Sequence, residues 1–278
     1  MHKIVLQGDG LKNSDLTELK VKYNGAIKEK SWGYEITSPN LIDRSEIQAL
    51  RTKLNCDVNL LPNNFDPSAV KLVVSDMDST LINIECVDEI ADFAGVKAEV
   101  SKVTEQAMRG ELDFAQSLTQ RVSLLTGLDE AALQKVYDER LALNPGAEEM
   151  LQSLKTNNIK FALVSGGFTF FTDRLKKRLN LDYTLSNTLE RNNGKLTGKL
   201  LGDIVGAEAK AAFLLEKCKE LKISPSQAVA IGDGANDLKM MSVAGLGVAY
   251  YAKPKVQQEA DCALNHSGLN GLTALLNL

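Results

Sequence analysis

The sequence predicts an α/β protein: a doubly wound parallel sheet with an inserted helical-bundle cap, behind a small N-terminal α+β domain. Three observations predict it. Short β-branched runs recur beyond residue 70, each followed by a polar turn and separated from the next by helical patterns. One long stretch, about residues 86–143, has helical periodicity and no strand-like run. A segment rich in proline and asparagine, Leu61-Pro62-Asn63-Asn64-Phe65-Asp66-Pro67, divides all of this from a first unit with its own strands and helices.

In the first unit, residues 1–65, residues 3–7 and 33–37 read as strands, 14–23 and 43–54 as helices, and 57–61 as a third strand. Trp32, the one tryptophan, is assigned to the core of this unit. The second unit, residues 66–278, has core strands at 72–75, 161–164, 228–231, 247–250 and 262–264. Apolar runs of this kind belong to a parallel sheet covered on both faces, a Rossmann-like core. Residues 185–200 break the alternation, because Asn192-Asn193-Gly194 sits between two strand-like stretches and predicts a hairpin. The insertion at about 86–143 holds four helical patterns punctuated by Gly95, Gly110 and Gly127. Asp113 and Asp129 are N-cap candidates, and Asn144-Pro145-Gly146 stops the last helix. A bundle inserted after the first core strand stands over the C-terminal end of that strand, where open α/β sheets bind ligands. It is positioned as a lid.

Composition excludes several classes. The 278 residues are 44% hydrophobic and 24% charged, enough to bury a core. A formal charge of −4 argues against nucleic-acid backbone binding, so any anion site must be local. His2 and His266 both lie near the ends and leave little material for a His-rich zinc site. Cys56, Cys86, Cys218 and Cys262 are far apart without C-x-x-C spacing and read as buried reduced thiols in a reducing compartment. The opening MHKIVLQGDG lacks a signal-peptide stretch, and the longest uncharged apolar run, residues 240–252, is too short to cross a bilayer. The expectation is a soluble cytoplasmic protein acting on a small molecule, with neither nucleic acid nor membrane as partner.

Three strand ends carry residues that chemistry can use: Asp76-Met77-Asp78-Ser79-Thr80, Ser165-Gly166-Gly167 and Gly232-Asp233-Gly234-Ala235-Asn236-Asp237. In a parallel sheet they converge on one rim. Four aspartates in one cleft repel one another unless a cation neutralises them. A hard dication with oxygen ligands fits, and Mg²⁺ best, because it binds one or two carboxylates together with substrate phosphate. Glycine turns expose N–H groups that can cradle phosphate oxygens, and Ser165 adds a hydroxyl. A carboxylate beside a bound phosphoryl group can act as nucleophile, and a second one two residues on can move a proton.

DMDST, VSGGF, the later Lys210 and GDGAND, in that order and with a cap after the first, resemble the haloacid dehalogenase superfamily of phosphohydrolases from about residue 71 onward. DMDSTLINIECVDEIA, LVSGGF and the cap residues Phe114 and Arg121 resemble more closely the phosphoserine phosphatase family. The resemblance implies Mg²⁺-dependent hydrolysis of O-phosphoserine through an aspartyl-phosphate, the last step of serine biosynthesis. It implies Asp76 as nucleophile and metal ligand, and Asp78 as general acid/base and ligand through its backbone carbonyl. Asp233 would complete the metal ligands. Ser165, the Gly166 N–H and Lys210 would hold the phosphoryl group, with Asn236 near the phosphate. Glu85 and Arg121 would take the substrate's amino and carboxylate groups.

Plainer readings compete at each position. Asp233 and Asp237 can cap the short helix after them, with Asp233 the better ligand candidate. Phe114, Leu118, Arg121 and Leu125 share one helix stripe, and an arginine in an apolar stripe needs an anion. That anion is either a substrate carboxylate or a cap glutamate such as Glu89 or Glu105. Lys210 is a phosphate partner or a solvated lysine, and Met108 and Phe114 are core or substrate contacts. The alternative activity is hydrolysis or transfer at another small phosphate ester, such as phosphoglycolate or a sugar phosphate. A non-catalytic binding module is the alternative from a different class. Residues 1–65 resemble small regulatory domains that bind amino acids; a homodimer contact or a stabilising role is equally open to them.

Overall fold

The computed structural model describes residues 1–8 and 10–278. The chain opens with β1 (His2–Gln7), α1 (Asn13–Lys22), β2 (Ala26–Lys30), β3 (Gly33–Ser38), α2 (Arg44–Lys53) and β4 (Asp57–Leu60). The four strands form one antiparallel sheet in the order β2-β3-β1-β4. Alternation along β1 sends Ile4 and Leu6 to a core with Leu19, Ile47 and Leu50 of the helices, while Val5 faces the larger cluster of the rest of the chain. The strand absent from the sequence reading is β2. Its residues, AIKEK, are mostly charged because it is the free edge of the sheet, where charge discourages pairing with another chain. Trp32 also differs from expectation. It is half-buried in the turn after β2 and packs against the larger cluster instead of this unit's own core.

A seven-stranded sheet follows: β5 (Leu72–Ser75), β6 (Lys160–Phe168), β7 (Tyr183–Asn192), β8 (Lys195–Leu201), β9 (Ala228–Gly232), β10 (Leu246–Tyr250) and β11 (Cys262–Leu264). Their order is β11-β10-β9-β5-β6-β7-β8, all parallel except the β7–β8 pair. That pair is the expected hairpin, turning at Asn193 and Gly194 with φ of 50° and 75°, as a two-residue type I′ connection requires. The pleat divides the strands between two cores. Val73, Phe161, Leu163 and Val229 face α7 (Ala147–Thr156), α8 (Thr169–Leu179) and α12 (Gly271–Leu275). Leu72, Val74, Ala162 and Ala230 face α9 (Ala207–Leu221), α10 (Leu238–Val243) and α11 (Pro254–Glu259). The sheet is therefore covered on both sides, which is why its strands read as short continuous apolar runs.

The cap comprises α3 (Cys86–Ala94), α4 (Lys97–Met108), α5 (Phe114–Ser123) and α6 (Ala131–Glu139), the four helices expected. Asp113 is the anticipated N-cap of α5 and accepts from the Gln116 N–H at 2.8 Å, whereas the N-cap of α6 is Glu130; Asp129 stands one residue before it and still accepts from the Ala131 N–H at 2.8 Å. Val100, Leu118, Val122, Leu133 and Val136 close the bundle from inside. The cap is tied down twice. At its base, Ile82 bridges Leu143, the Asn83 N–H donates to Ala142 O, and Asn144 Nδ2 donates to the carbonyls of Thr80 (2.8 Å) and Ile82 (3.1 Å). At its far side, Gly127 N–H donates to Leu196 O and Leu196 N–H returns to Leu128 O, joining the cap to the hairpin. No helix among the described residues is long and apolar enough to cross a membrane.

Asn144→Ala removes two part-buried hydrogen bonds at the cap's base. It should lower stability by about 1–3 kcal/mol and Tm by several degrees in a thermal melt; an unchanged Tm would show that these bonds do not hold the cap.

Candidate active site

β5 lies between β6 and β9, so the three polar strand ends sit side by side at the C-terminal rim. Between that rim and the cap is a cleft of about 410 Å³. Asp76, Asp78, Ser165, Gly166, Asp233 and Asn236 line it from the sheet, and Glu85 and Arg121 line it from the cap's side. Of the residues assigned a role at the site, Lys210 alone is not among the lining groups. It stands behind Asp76, fully buried.

Lys210 is not solvated, and its partners explain why it can be dry. Its ammonium donates to Asp76 Oδ1 at 2.6 Å and to Asp237 Oδ1 at 2.7 Å, and Asp237 is itself fully buried. Burial works against the charge of Lys210, but the carboxylates of Asp237 and Asp76 outweigh it and hold its pKa above the ordinary lysine value. Asp76 is raised above the usual carboxylate range, first by burial and then by the charge of Asp237, with Lys210 pulling it back. Asp237 accepts a second hydrogen bond from the Gly234 N–H at 3.0 Å, so the helix-cap reading describes one of its two duties. A Cβ on Gly232 would collide with the Asp237 carboxyl, so only glycine lets this aspartate reach the lysine. The sequence sets Asp237 in the cleft with the other three aspartates, but the structure places it behind the lining, fully buried against Lys210.

The chain after β5 is folded sharply. Ser79 has φ 55°, a left-handed conformation rare outside glycine, held by Ser79 N–H to Ile84 O and by Ser79 Oγ donating to Glu85 Oε1 at 2.6 Å. Asp78 is thereby brought into the cleft with Oδ1 buried and unpartnered. Burial first, then the charge of Glu85, pushes Asp78 up to about 8. Asp233 is pushed up to about 6 by burial and by Asp237, and Thr80 Oγ1 donates to it at 3.3 Å.

Opposite stands a group of donors. Ser165 Oγ accepts from the Gly167 N–H at 2.7 Å, which leaves its own O–H free to donate. Asn187 fixes this turn from β7: its Nδ2 donates to Gly166 O at 2.8 Å and its Oδ1 accepts from Val205 N–H at 2.8 Å. Asn187 escapes the sequence reading, because in the polar strand YTLSNTLERN nothing local sets it apart from its neighbours. Phe114 reaches down from the cap until its ring tip would lie 2.6 Å from a Cβ on Gly166, so the lid touches the turn directly. Met108, by contrast, is 69% exposed.

On the cap wall, Arg121 has no salt bridge among the described residues, and its Nε is buried without a hydrogen-bond partner. Glu89, one proposed internal partner, faces Arg140 instead. Glu85 sits at the mouth, still exposed; partial desolvation raises its pKa and the Ser79 hydroxyl lowers it. Asp88, a turn further along α3, also lines the cleft with a buried unpartnered Oδ1, and the sequence reading did not single it out.

The acidic residues suit a hard cation. Carboxylate oxygens of Asp76, Asp233 and Asp237 lie within 4.8 Å of one another, an all-oxygen set of the kind Mg²⁺ takes. Two of them and Asp78 carry raised pKa values, the mark of negative charge awaiting neutralisation. Asp237 is already engaged by Lys210 and Gly234, which leaves Asp76 and Asp233 the freer ligands.

Known proteins share this arrangement. The sequence profile of the haloacid dehalogenase-like hydrolases matches residues 70–245. A phosphoserine phosphatase of Polaromonas sp. is 55% identical over 224 residues, 79% of this chain and 95% of that protein. A crystal structure of a probable phosphoserine phosphatase from Vibrio cholerae superposes with a TM-score of 0.84 at 43% identity, over 99% of this chain and 86% of that one. A phosphoserine phosphatase solved as a phospho-aspartyl intermediate analogue gives 0.70 at 41% identity, over 74% of this chain and 98% of that one. By profile, sequence and fold, the chain belongs to the haloacid dehalogenase-like hydrolases, on the branch of its phosphoserine phosphatase relatives.

Proposed function

We propose that this hydrolase cleaves O-phosphoserine to serine and phosphate, with Asp76 as nucleophile and Asp78 as general acid and base. The observation that carries the reading is the pairing of two unlike ends in one cleft. A lysine-held aspartate stands at the floor, and an unpaired arginine with a glutamate stands on the cap wall. Phosphoserine matches both ends: a phosphoryl group for the floor, a carboxylate for Arg121 and an ammonium for Glu85. Phosphoglycolate has no ammonium for Glu85, and a sugar phosphate has no carboxylate for Arg121.

Lys210 holds Asp76 Oδ1, so Oδ2 is the oxygen that attacks phosphorus. The bond from phosphorus to the serine oxygen breaks, and the proton of Asp78 passes to that oxygen. A carboxyl pushed up to about 8 carries this proton at neutral pH. Asp78 then takes a proton from water as its oxygen attacks the aspartyl-phosphate, and Asp76 is released as carboxylate. The Ser165 O–H, the N–H groups of its turn and Asn236 hold the phosphoryl oxygens, with Lys210 neutralising Asp76 from behind. Asp76, Asp233 and the backbone carbonyl of Asp78 would hold Mg²⁺, which when bound neutralises charge on the transferring group. Phe114 and Leu118 exclude water from above. The division into residues 1–65 and 66–278 belongs to the same reading, supported by the two separate sheets. So does a cytoplasmic setting, supported by four buried free cysteines.

Purified protein with Mg²⁺ should release phosphate from L-phosphoserine, and excess chelator should stop it; release only from a generic aryl phosphate would overturn the substrate. Arg121→Ala should lower kcat/KM on phosphoserine by about 10²–10³ but change turnover of a phosphate ester lacking a carboxylate by less than about threefold. Equal losses on both would make Arg121 a structural residue.

Protonation and metal binding compete at these carboxylates. Their folded pKa values lie above the unfolded value of about 4, so the stability they lend is complete below that pH. It is lost as pH rises through about 6 at Asp233 and about 8 at Asp78. Mg²⁺ binds the ionised carboxylates of Asp76 and Asp233 and should restore what is lost there. Saturating Mg²⁺ should therefore raise Tm more at about pH 8 than at about pH 5.5; equal increments would remove the metal from this cluster.

A further inference from the structure

Only two cations line the cleft among the described residues, Arg121 and Lys253, against five carboxylates. Lys253 lies on the loop between β10 and α11, is exposed, and makes no salt bridge among the described residues. Its backbone is nevertheless tightly held. Pro254 follows it, and Tyr251, two residues earlier, has φ 44°, a strained left-handed conformation for an aromatic residue. Gln257 clamps the segment from α11: its Nε2 donates to Ala252 O at 2.6 Å and its N–H to Lys253 O at 3.1 Å.

The clamp leads out of the catalytic unit. Gln257 Oε1 accepts from Asn265 Nδ2 at 2.9 Å, and the Asn265 N–H donates to Asp57 Oδ1 at 2.6 Å. Asp57 lies at the start of β4 in the N-terminal unit, is 2% exposed, and also accepts from the N–H groups of His266 (3.1 Å) and Ser267 (2.8 Å). A second path runs beside it. Asn59 of β4 pairs its side-chain amide with both Ala263 O (2.9 Å) and Ala263 N–H (2.8 Å), and the next carbonyl, Leu264 O, accepts from Tyr251 N–H at 2.8 Å. The N-terminal sheet therefore grips β11, and β11 with Gln257 grips the loop that delivers Lys253.

We propose that Lys253 captures the anionic substrate at the cleft mouth, and that the N-terminal unit positions it through Asp57, Asn265 and Gln257. This rests on the phosphoserine reading above. An unpaired cation at the rim of an acidic cleft offsets repulsion that a phosphorylated, carboxylate-bearing substrate would meet on entry. It lies outside the reacting groups, so its loss acts on KM and leaves the chemical step. The N-terminal unit becomes part of substrate capture without contacting the substrate.

The test is steady-state kinetics on L-phosphoserine with Lys253→Met, Gln257→Met and the double variant. Lys253→Met should raise KM about 3–10-fold with kcat changed less than about twofold, and should flatten the rise of KM with ionic strength. Gln257→Met keeps the helix and the side-chain volume, and should raise KM by a smaller factor that vanishes in the Lys253→Met background. Asp57→Asn, checked by its melting curve, should follow Gln257→Met. If it does not fold, Asn265→Ala cuts the same path on the catalytic side. An unchanged KM in Lys253→Met, with the parent enzyme active, overturns the capture role. A Gln257→Met effect that persists in the double variant overturns the positioning role. Absence of turnover in the parent enzyme would instead strike the phosphoserine reading itself.

Discussion

The buried triad of Asp76, Lys210 and Asp237 is the constraint on which the site depends. An ammonium with no exposure survives only because two carboxylates meet it at 2.6 and 2.7 Å. The arrangement resolves a conflict. A nucleophilic carboxylate must be dry enough to attack and close to other negative charge, yet both conditions favour its protonated form. Lys210 supplies the opposing charge from the protein side and keeps the cleft side of Asp76 open. Three separate elements must be in register for this: the end of β5, the first turn of α9 and the turn after β9. The glycine at position 232 is part of the same constraint, since any side chain there would displace Asp237.

Around that floor, the two layers of the molecule take different parts. The parallel sheet places phosphoryl chemistry at a rim defined by strand order, with β5 between β6 and β9. The cap brings the groups that distinguish one phosphate ester from another. Its two attachments, the Asn83–Asn144 base and the pairing with the β7–β8 hairpin, allow Phe114 to rest on Gly166 while leaving the cleft open at Glu85. Buried polar atoms of Asp78, Asp88 and Arg121 are left unsatisfied in the cleft wall. Such atoms are rare in folded proteins and concentrate where a ligand completes them.

Much of this was legible in the sequence, because the signals were local. The short apolar runs, the Asn193-Gly194 turn, the Asp113 cap and the three polar strand ends each carry their physics within a few residues. Asp76, Asp78, Ser165, Asp233 and Arg121 could be singled out that way, and all line one cleft. What escaped depends on partners distant in the chain. Strand β2 is invisible because an edge strand has little to bury. Trp32 packs across to the second unit, and no periodicity in its neighbourhood announces that. Lys210 is singled out through the order of the motifs, but its dry pairing with Asp76 and Asp237, both far away in sequence, is not legible there. Asn187 and the Asp57–Asn265–Gln257 chain are of the same kind: single polar side chains whose purpose is set by tertiary contacts.

The most direct measurement of the central claim, that Asp76 is the group Lys210 prepares for attack, is mass spectrometry of peptides from enzyme quenched in acid during turnover of phosphoserine. A phosphoryl group on the peptide containing Asp76, and its loss in Asp76→Asn, is the predicted result. An intermediate on another carboxylate, or undiminished turnover by Asp76→Asn, would contradict it.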